Sequence, residues 1–476
     1  MNVSPAAALT AGVAAAMSPA PPALPASATL GEAVAAMAAS RASAILALSP
    51  DGRPAGILTE QDVTRRVAFR LAPEAPVSAA MTAPLIAARA GDGLWRAIAL
   101  LRAHRLRHLP VLDEAGACVG ILHRAETLAA ASGKLLSHLD ALAGDDAEVK
   151  RAQAGVAAAL LAEGVDAASV VGLVSEINLD LHRRILERAI AAAGTAPPVP
   201  FTLLIMGSGG RGESLLGPDQ DNGFLLGEYP DAEHAAVDAW FRPVAAAFNA
   251  ALDAAGFPLC KGGVMAQNPL WRKRGSEWQR QFELWAIRRS GAALLFADIA
   301  FDFRPCWGDP APAATLRAHL GRVLAGTPAF LAALAQQDSR FGVGLTLFGG
   351  FADDEPGEGT RTDLKLHGLM PLVAAARLGA LRAGAEGVAT PARLAGLAGA
   401  GALSARDEPE LQEAFRVLLD AVLRQQLADH EAGRAPGNLV DTAALAKAER
   451  ARLKEALKAV RSFANATWAG FTGRMW

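Results

Sequence analysis

The chain has 476 residues, 52% hydrophobic and 20% charged, enough apolar material for two to four packed domains. A formal net charge of −2 excludes a global basic field that recruits nucleic acid, and no apolar run is long and clean enough to span a bilayer, so neither partner is expected. Three cysteines, Cys118, Cys260 and Cys306, lie far apart with no CxxC pair, which argues against a disulfide framework or a zinc site and suits a reducing cytoplasm.

Residues 1–19 are rich in Ala and Pro and lack Lys and Arg, so they read as a flexible leader rather than a signal peptide. Residues 20–130 contain an internal repeat. The first copy runs from Ala28 through Met37, then Ala44 to Leu48, Asp51-Gly52, and Gly56 to Val63. The second runs from Gly93 to Ile98, then Leu109 to Asp113, Gly116, and Gly120 to Glu126. Each copy reads helix, strand, turn, strand, helix, with hairpin chemistry at Asp51-Gly52 and at Glu114 to Gly116. A repeat of this length implies two copies packed together.

Residues 131–196 read as a helical linker. Val170 to Ile190 has apolar residues at helical spacing, and His182 within it reads as a surface or packing residue. Gly194 to Pro200 breaks the helix. Residues 197–311 then read as an α/β domain. Phe201 to Met206 forms a buried strand and Gly223 to Leu226 the next. Between them stand a glycine-rich turn, able to cradle phosphate, and two acids, Asp219 and Asp221. Placed at the start of the second strand, acids spaced i, i+2 point to one face and can share a cation.

Three readings compete for the turn. No Lys-Ser/Thr follows, so it is not a Walker A loop. Gly207, Gly209 and Gly212 match GxGxxG literally. Only about ten residues precede the next strand, too few for a parallel crossover. A bland glycine turn with two solvated acids is the third.

Residues 312–476 read as helices with Gly/Pro breaks. They include an acidic loop at 353–359, a helix opened by Asp363 to Pro371, and amphipathic stretches at Leu411 to Arg424 and Ala446 to Val460. Lys365 and His367 could reach the cleft between the domains but read chiefly as surface residues.

Residues 20–130 resemble a pair of CBS motifs, a Bateman module. That resemblance implies AMP or ATP binding between the copies, with Thr59 and Asp62 holding ribose and phosphates, and pairing of modules into a homodimer. His123 and Glu126 stand at the matching places of the second copy. From about residue 150 to 470 the chain resembles the nucleotidyltransferases that follow CBS pairs in bacterial signalling proteins. These belong to the polymerase-beta-like superfamily and are relatives of the PII uridylyltransferases. The fold implied is multidomain α/β and α: tandem CBS module, helical linker, nucleotidyltransferase α/β domain and C-terminal helical substrate-binding domain. Gly207, Ser208 and Gly209 would hold the triphosphate, and Asp219 and Asp221 would hold Mg2+ or Mn2+. Arg211 could counter phosphate charge through its guanidinium fork, or form a salt bridge with Glu213 or Asp219.

Two metals need a third carboxylate, for which Asp302 is the candidate, on a half-buried strand Ala300 to Arg304, with Asp298 as fallback. The Cys260 to Trp271 stretch also matches the family pattern. Lys261, Asn268 and Trp271 could line the nucleotide cleft; alternatively Asn268 caps a helix and Trp271 packs. The activity implied is transfer of a nucleoside monophosphate from a triphosphate to an acceptor, such as a PII-like protein, under CBS control. A non-catalytic adenine-nucleotide sensor and a transferase acting on a small molecule are the alternatives.

Overall fold

The computed structural model describes residues 12–473 apart from 69, 129–141, 143, 290, 341, 347 and 355–359. It forms two compact units, 1–160 and 161–476.

In the first unit each repeat builds a small sheet. Ala44–Leu48 and Pro54–Thr59 pair antiparallel in copy one, with Ala23–Pro25 parallel beside them. His108–Leu112 and Cys118–His123 pair the same way in copy two, with Ala88–Arg89 parallel beside them. The turns close through Gly52 and Gly116, at φ of 79° and 83°, backbone that glycine adopts without strain. Helix Leu30–Ser40 is closed at its N-terminus by a reciprocal Thr29–Glu32 capping box. It lays Leu30, Ala33 and Met37 on Ile45, Ala47 and Leu58.

The leader expectation needs correcting. Residues 1–11 lie outside the described part, but Ser18–Pro19 is a strand on the edge of copy two, with Ser18 opposite Ile121. Thr82 does the same for copy one, exchanging backbone hydrogen bonds with Ile57. A Cβ at Gly56 would reach the Met81 sulfur at 2.7 Å, and one at Gly120 would collide with the Met17 sulfur. Met17-Ser18 and Met81-Thr82 are thus matching parts of the repeat, each completing one sheet.

The second unit contains a four-stranded sheet ordered Arg272–Arg274, Asn222–Leu226, Phe201–Ile205, Arg304–Trp307. The first pair is parallel and the others antiparallel. Phe201–Ile205 and Asn222–Leu226 are buried along their whole length, which is why they read as continuous apolar runs rather than alternating ones. Phe201, Phe224, Phe241 and Phe248 interlock the sheet with helix His234–Ala254. One apolar cluster then runs from Leu204 and Leu225 through Trp271, Trp278 and Phe301 to Leu320, Leu334, Leu378 and Trp468 in the C-terminal helices. Among the described residues no single helix is long and apolar enough to cross a membrane.

The strand expected from Ala300 to Arg304 is not one. Helix Gly291–Ala300 runs up to it, Phe301 N–H still donates to Ala297 C=O, and the strand starts only at Arg304. The run GAALLFADIA, apolar but for Asp298, has the length of a helix rather than a strand, with Ala293, Leu294, Ala297 and Ala300 buried, so the alternation at Phe301-Asp302-Phe303 marks a turn whose phenylalanines both enter the core.

Candidate nucleotide and metal site

The strand ladder sets the geometry. Ile205 lies opposite Asn222, and one residue further Met206 N–H donates to Asp221 C=O at 2.9 Å. The chain then turns into the short helix Gly207–Arg211 directly beside Asp221. Two of its glycines answer close approaches. Gly207 sits at φ 58°, and a Cβ there would meet Asp221 Oδ2 at 2.9 Å. A Cβ at Gly210 would overlap the backbone oxygen of Asp302.

Asp219 and Asp221 precede the strand rather than begin it, flanking Gln220. The Gln220 side chain turns inward and donates to the carbonyls of Asn249 and Phe257. The two acids therefore share the opposite side, the i, i+2 relation working through one extended residue. The loop that follows Pro258 is sewn to this segment. Gln220 N–H donates to Pro258 C=O, Asn222 N–H to Val264 C=O, and Ala266 N–H to Asn222 Oδ1. This stitching carries Cys260 to the acids, and one donor atom each from Asp219, Asp221 and Cys260 lie within 4.8 Å of one another.

Asp219 is exposed and Asp221 half-buried, with Asp221 Oδ1 wholly covered and without a hydrogen-bond partner. Burial, then the charge of Asp219, pushes the Asp221 carboxyl up to about 7, against the opposing effects of the Cys260 thiol, Lys365 and Arg211. Burial and Asp221 push the Cys260 thiol up to about 11. A covered carboxylate oxygen with no donor, beside a second carboxylate, is a fitting place for a divalent cation. A small cavity joins Asp219 and Asp221 to Ser208 of the turn and to Ser175 and His182 of helix Ala167–Ala192. His182 is a packing residue, edge-on to Phe257. Ser175 Oγ accepts from Ser214 N–H, so the helix read as a linker supports the turn.

Several expected residues stand elsewhere. Asp302 does not join Asp219 and Asp221. It is 0% exposed and accepts from Arg211, Arg377 and Arg393. Arg211 is likewise spent, its Nε on Glu213 at 2.6 Å and its Nη1 on Asp302 at 2.8 Å, the salt-bridge alternative rather than a free phosphate partner. Asp298 lies on helix Gly291–Ala300 and pairs with Arg377. Asn268 caps the turn Pro269–Trp271 and donates to Gly263 C=O, and Trp271 is fully buried against Trp278, Trp285 and Phe296. Lys261 is exposed.

In the first unit Thr59 and Asp62 form a reciprocal helix cap, with Thr59 Oγ1 2.7 Å from Asp62 Oδ2. The cavity found there is lined instead by residues 18–22 and 40–44 with Ile121 and His123.

The sequence does not single out Cys260 for this site, and it leaves Lys365 chiefly on the surface, with reach of the cleft as the alternative. Lys365 opens a π-helical turn, Lys365–Leu369, and is half-buried near enough to Asp221 to act on its charge. Cys260 carries no local signal, because it reaches the acids through long-range packing. His367 instead bonds Gly342 C=O and Asp354. A cavity of about 550 Å³ is lined by none of the acids, and its Arg416, Arg424 and Arg452 all pair with carboxylates in the same groove.

Sheet, turn and acid pair, together with a CBS tandem, define a nucleotidyltransferase-type protein with an N-terminal CBS pair. Family models agree along most of the chain. "CBS domain" matches 13–68 and 77–133, "Putative nucleotidyltransferase DUF294" matches 151–292, and "Putative nucleotidyltransferase substrate binding domain" matches 328–471. The chain belongs to this family of CBS-domain proteins with a DUF294 nucleotidyltransferase domain and its C-terminal partner. Asp302 falls between the last two spans.

A curated relative, the homoserine O-acetyltransferase of Methanohalophilus mahii, is 33% identical over 106 residues, 22% of this chain and 21% of that protein. The chain thus spans about a fifth of its length. Among solved structures, an uncharacterised conserved protein from Pyrococcus horikoshii is 27% identical, covering 26% of this chain and 92% of that one, TM-score 0.24. A CBS domain protein from Pyrobaculum aerophilum, complexed with AMP, is 26% identical, covering 24% and 88%, TM-score 0.23. A CBS-domain protein from Agrobacterium tumefaciens is 26% identical, covering 24% and 84%, TM-score 0.22.

Proposed function

We propose that the protein transfers a nucleoside monophosphate from a nucleoside triphosphate to an acceptor hydroxyl, releasing pyrophosphate. The observation that carries this reading is the shared cavity of Ser208, Asp219 and Asp221, with a covered, unpartnered oxygen on Asp221. Asp219 and Asp221 would hold Mg2+ or Mn2+, which supplies charge neutralisation at the α-phosphate and helps ionise the acceptor. The Ser208 hydroxyl and the amides of the turn would hold the β- and γ-phosphates in line. Lys365 adds a positive charge that acts on Asp221.

The acceptor favoured by the family resemblance is a PII-like protein; a small-molecule hydroxyl is the other class. The CBS pair would bind an adenine nucleotide, control the transfer and pair the chains into a dimer, in a reducing cytoplasm where Cys118, Cys260 and Cys306 stay free thiols. The test is transfer of label from an α-labelled triphosphate. Asp219→Asn and Asp221→Asn should each lower it by on the order of a thousandfold or more. Label transfer that survives both changes rules the chemistry out.

A second reading, a nucleotide sensor that binds without turnover, is favoured by one observation: Asp302 is closed off by three arginines and leaves two carboxylates rather than three. Triphosphate binding that is independent of divalent cation and never releases pyrophosphate would select it.

A further inference from the structure

We infer that the Cys260 sulfur is a third ligand beside Asp219 and Asp221, so that this centre takes a thiophilic divalent cation of the Zn2+ or Co2+ class in preference to Mg2+. The inference rests on the proposed cation site and names a ligand that the paired-acid reading does not contain.

The geometry comes first. Donors on one such ion, at about 2.0–2.3 Å from it, stand roughly 3–4.5 Å apart. The three donor atoms already lie within 4.8 Å of one another, so only a slight closure is needed. The sulfur is held in place: Cys260 is 8% exposed, its C=O accepts from Gly263 N–H at 2.9 Å, and its loop is pinned by Pro258 and Val264 to the segment bearing the acids. Asp221 Oδ1 is covered and without a hydrogen-bond partner, and the Asp221 carboxyl and the Cys260 thiol lie close enough to act on one another. The other two thiols are used differently: Cys306 Sγ donates to Leu179 C=O and Cys118 Sγ to Gly120 C=O.

The chemistry sets the preference. Mg2+ takes oxygen donors in a near-ideal octahedron, whereas thiolate ligands select softer ions. On binding, the thiol proton passes to solvent and the sulfur lone pair is shared with the ion, with no change of oxidation state.

The test uses the full-length protein with Co2+, watching for sulfur-to-cobalt charge-transfer absorption, and calorimetry in parallel. The band should appear at one equivalent, survive Cys118→Ser, and vanish in Cys260→Ser and Cys260→Ala. Those two variants should bind Cd2+ at least about tenfold more weakly while their Mg2+ affinity stays within about twofold. Circular dichroism checks that they fold. If neither variant folds, slower alkylation of wild-type Cys260 in Zn2+ than in Mg2+, located by peptide mapping, is the equivalent expected result, and equal rates overturn the inference. Co2+ binding by calorimetry without the band, or a band that persists in both variants, also overturns it and leaves Asp219 and Asp221 as an all-oxygen site. If no divalent ion binds, with or without a triphosphate, the transferase reading falls as well.

Discussion

Asp221 and Asp302 approach the same glycine turn, one at Gly207 and the other at Gly210, yet they live in opposite surroundings. Asp221 has a covered oxygen with no donor and a neighbouring carboxylate that raises its proton affinity. Asp302 is saturated by Arg211, Arg377 and Arg393. The residue type is the same; the supply of counter-charge differs. Where that supply is missing, a carboxylate is available to a ligand. Where it is in excess, the carboxylate ties together the turn, helix Met370–Ala383 and helix Thr390–Gly399.

The sharpest way to break this contrast is to remove each acid. Asp302→Ala removes the carboxylate shared by three buried guanidiniums, leaving Arg393 without one while Arg211 keeps Glu213 and Arg377 keeps Asp298, and should cost about 3–5 kcal/mol in denaturant unfolding. Asp221→Asn should lose no stability at about pH 8, since it relieves an uncompensated buried charge. Equal stability losses for the two would erase the distinction.

Next in size is the response to cation. Folding raises the Asp221 carboxyl from 3.8 to about 7. Its stabilising contribution is therefore complete below the lower value and lost as pH rises through the upper one. Protons also compete with metal below about pH 7. A divalent ion at about a hundred times its Kd should add about 2.7 kcal/mol at pH 8, little near pH 5.5, and nothing to Asp221→Asn. Thermal shifts measured across that range decide it.

Gly207→Ala tests the close approach itself. Its left-handed backbone alone costs about 1–2 kcal/mol, and the new methyl meets Asp221 Oδ2, so metal affinity should suffer more than stability. Lys365→Met should have the smallest effect. Loss of its charge lets Asp221 hold its proton more tightly, moving the pH midpoint for metal binding upward by less than about one unit with the melting temperature unchanged.

What could be read from residues alone follows the range of the forces involved. The repeat, the strands Phe201–Ile205 and Asn222–Leu226 and the acid pair all rest on local periodicity and spacing, and they stand in the structure. Met17-Ser18 was legible too, as the counterpart of Met81-Thr82, but an Ala/Pro-rich background hid it. Asp302 misled because Phe-Asp-Phe alternates like a strand while the preceding apolar run is helical. Trp271 and Asn268 were open between packing and binding, and burial settles them as core and cap. Cys260 was out of reach, since only the stitched loop brings it to Asp221, whereas Lys365 was open between surface and cleft and its charge acts on Asp221.

The crossing of Ser18–Pro19 onto copy two, ahead of copy one's own Ala23–Pro25, has a practical meaning for protein handling. Proteolysis near residue 20 would damage the distant repeat and spare the adjacent one. It would strip the Cys118–His123 edge of its neighbour, leaving bare amides and carbonyls that invite sticking between chains. Trimmed preparations should therefore aggregate through their second repeat.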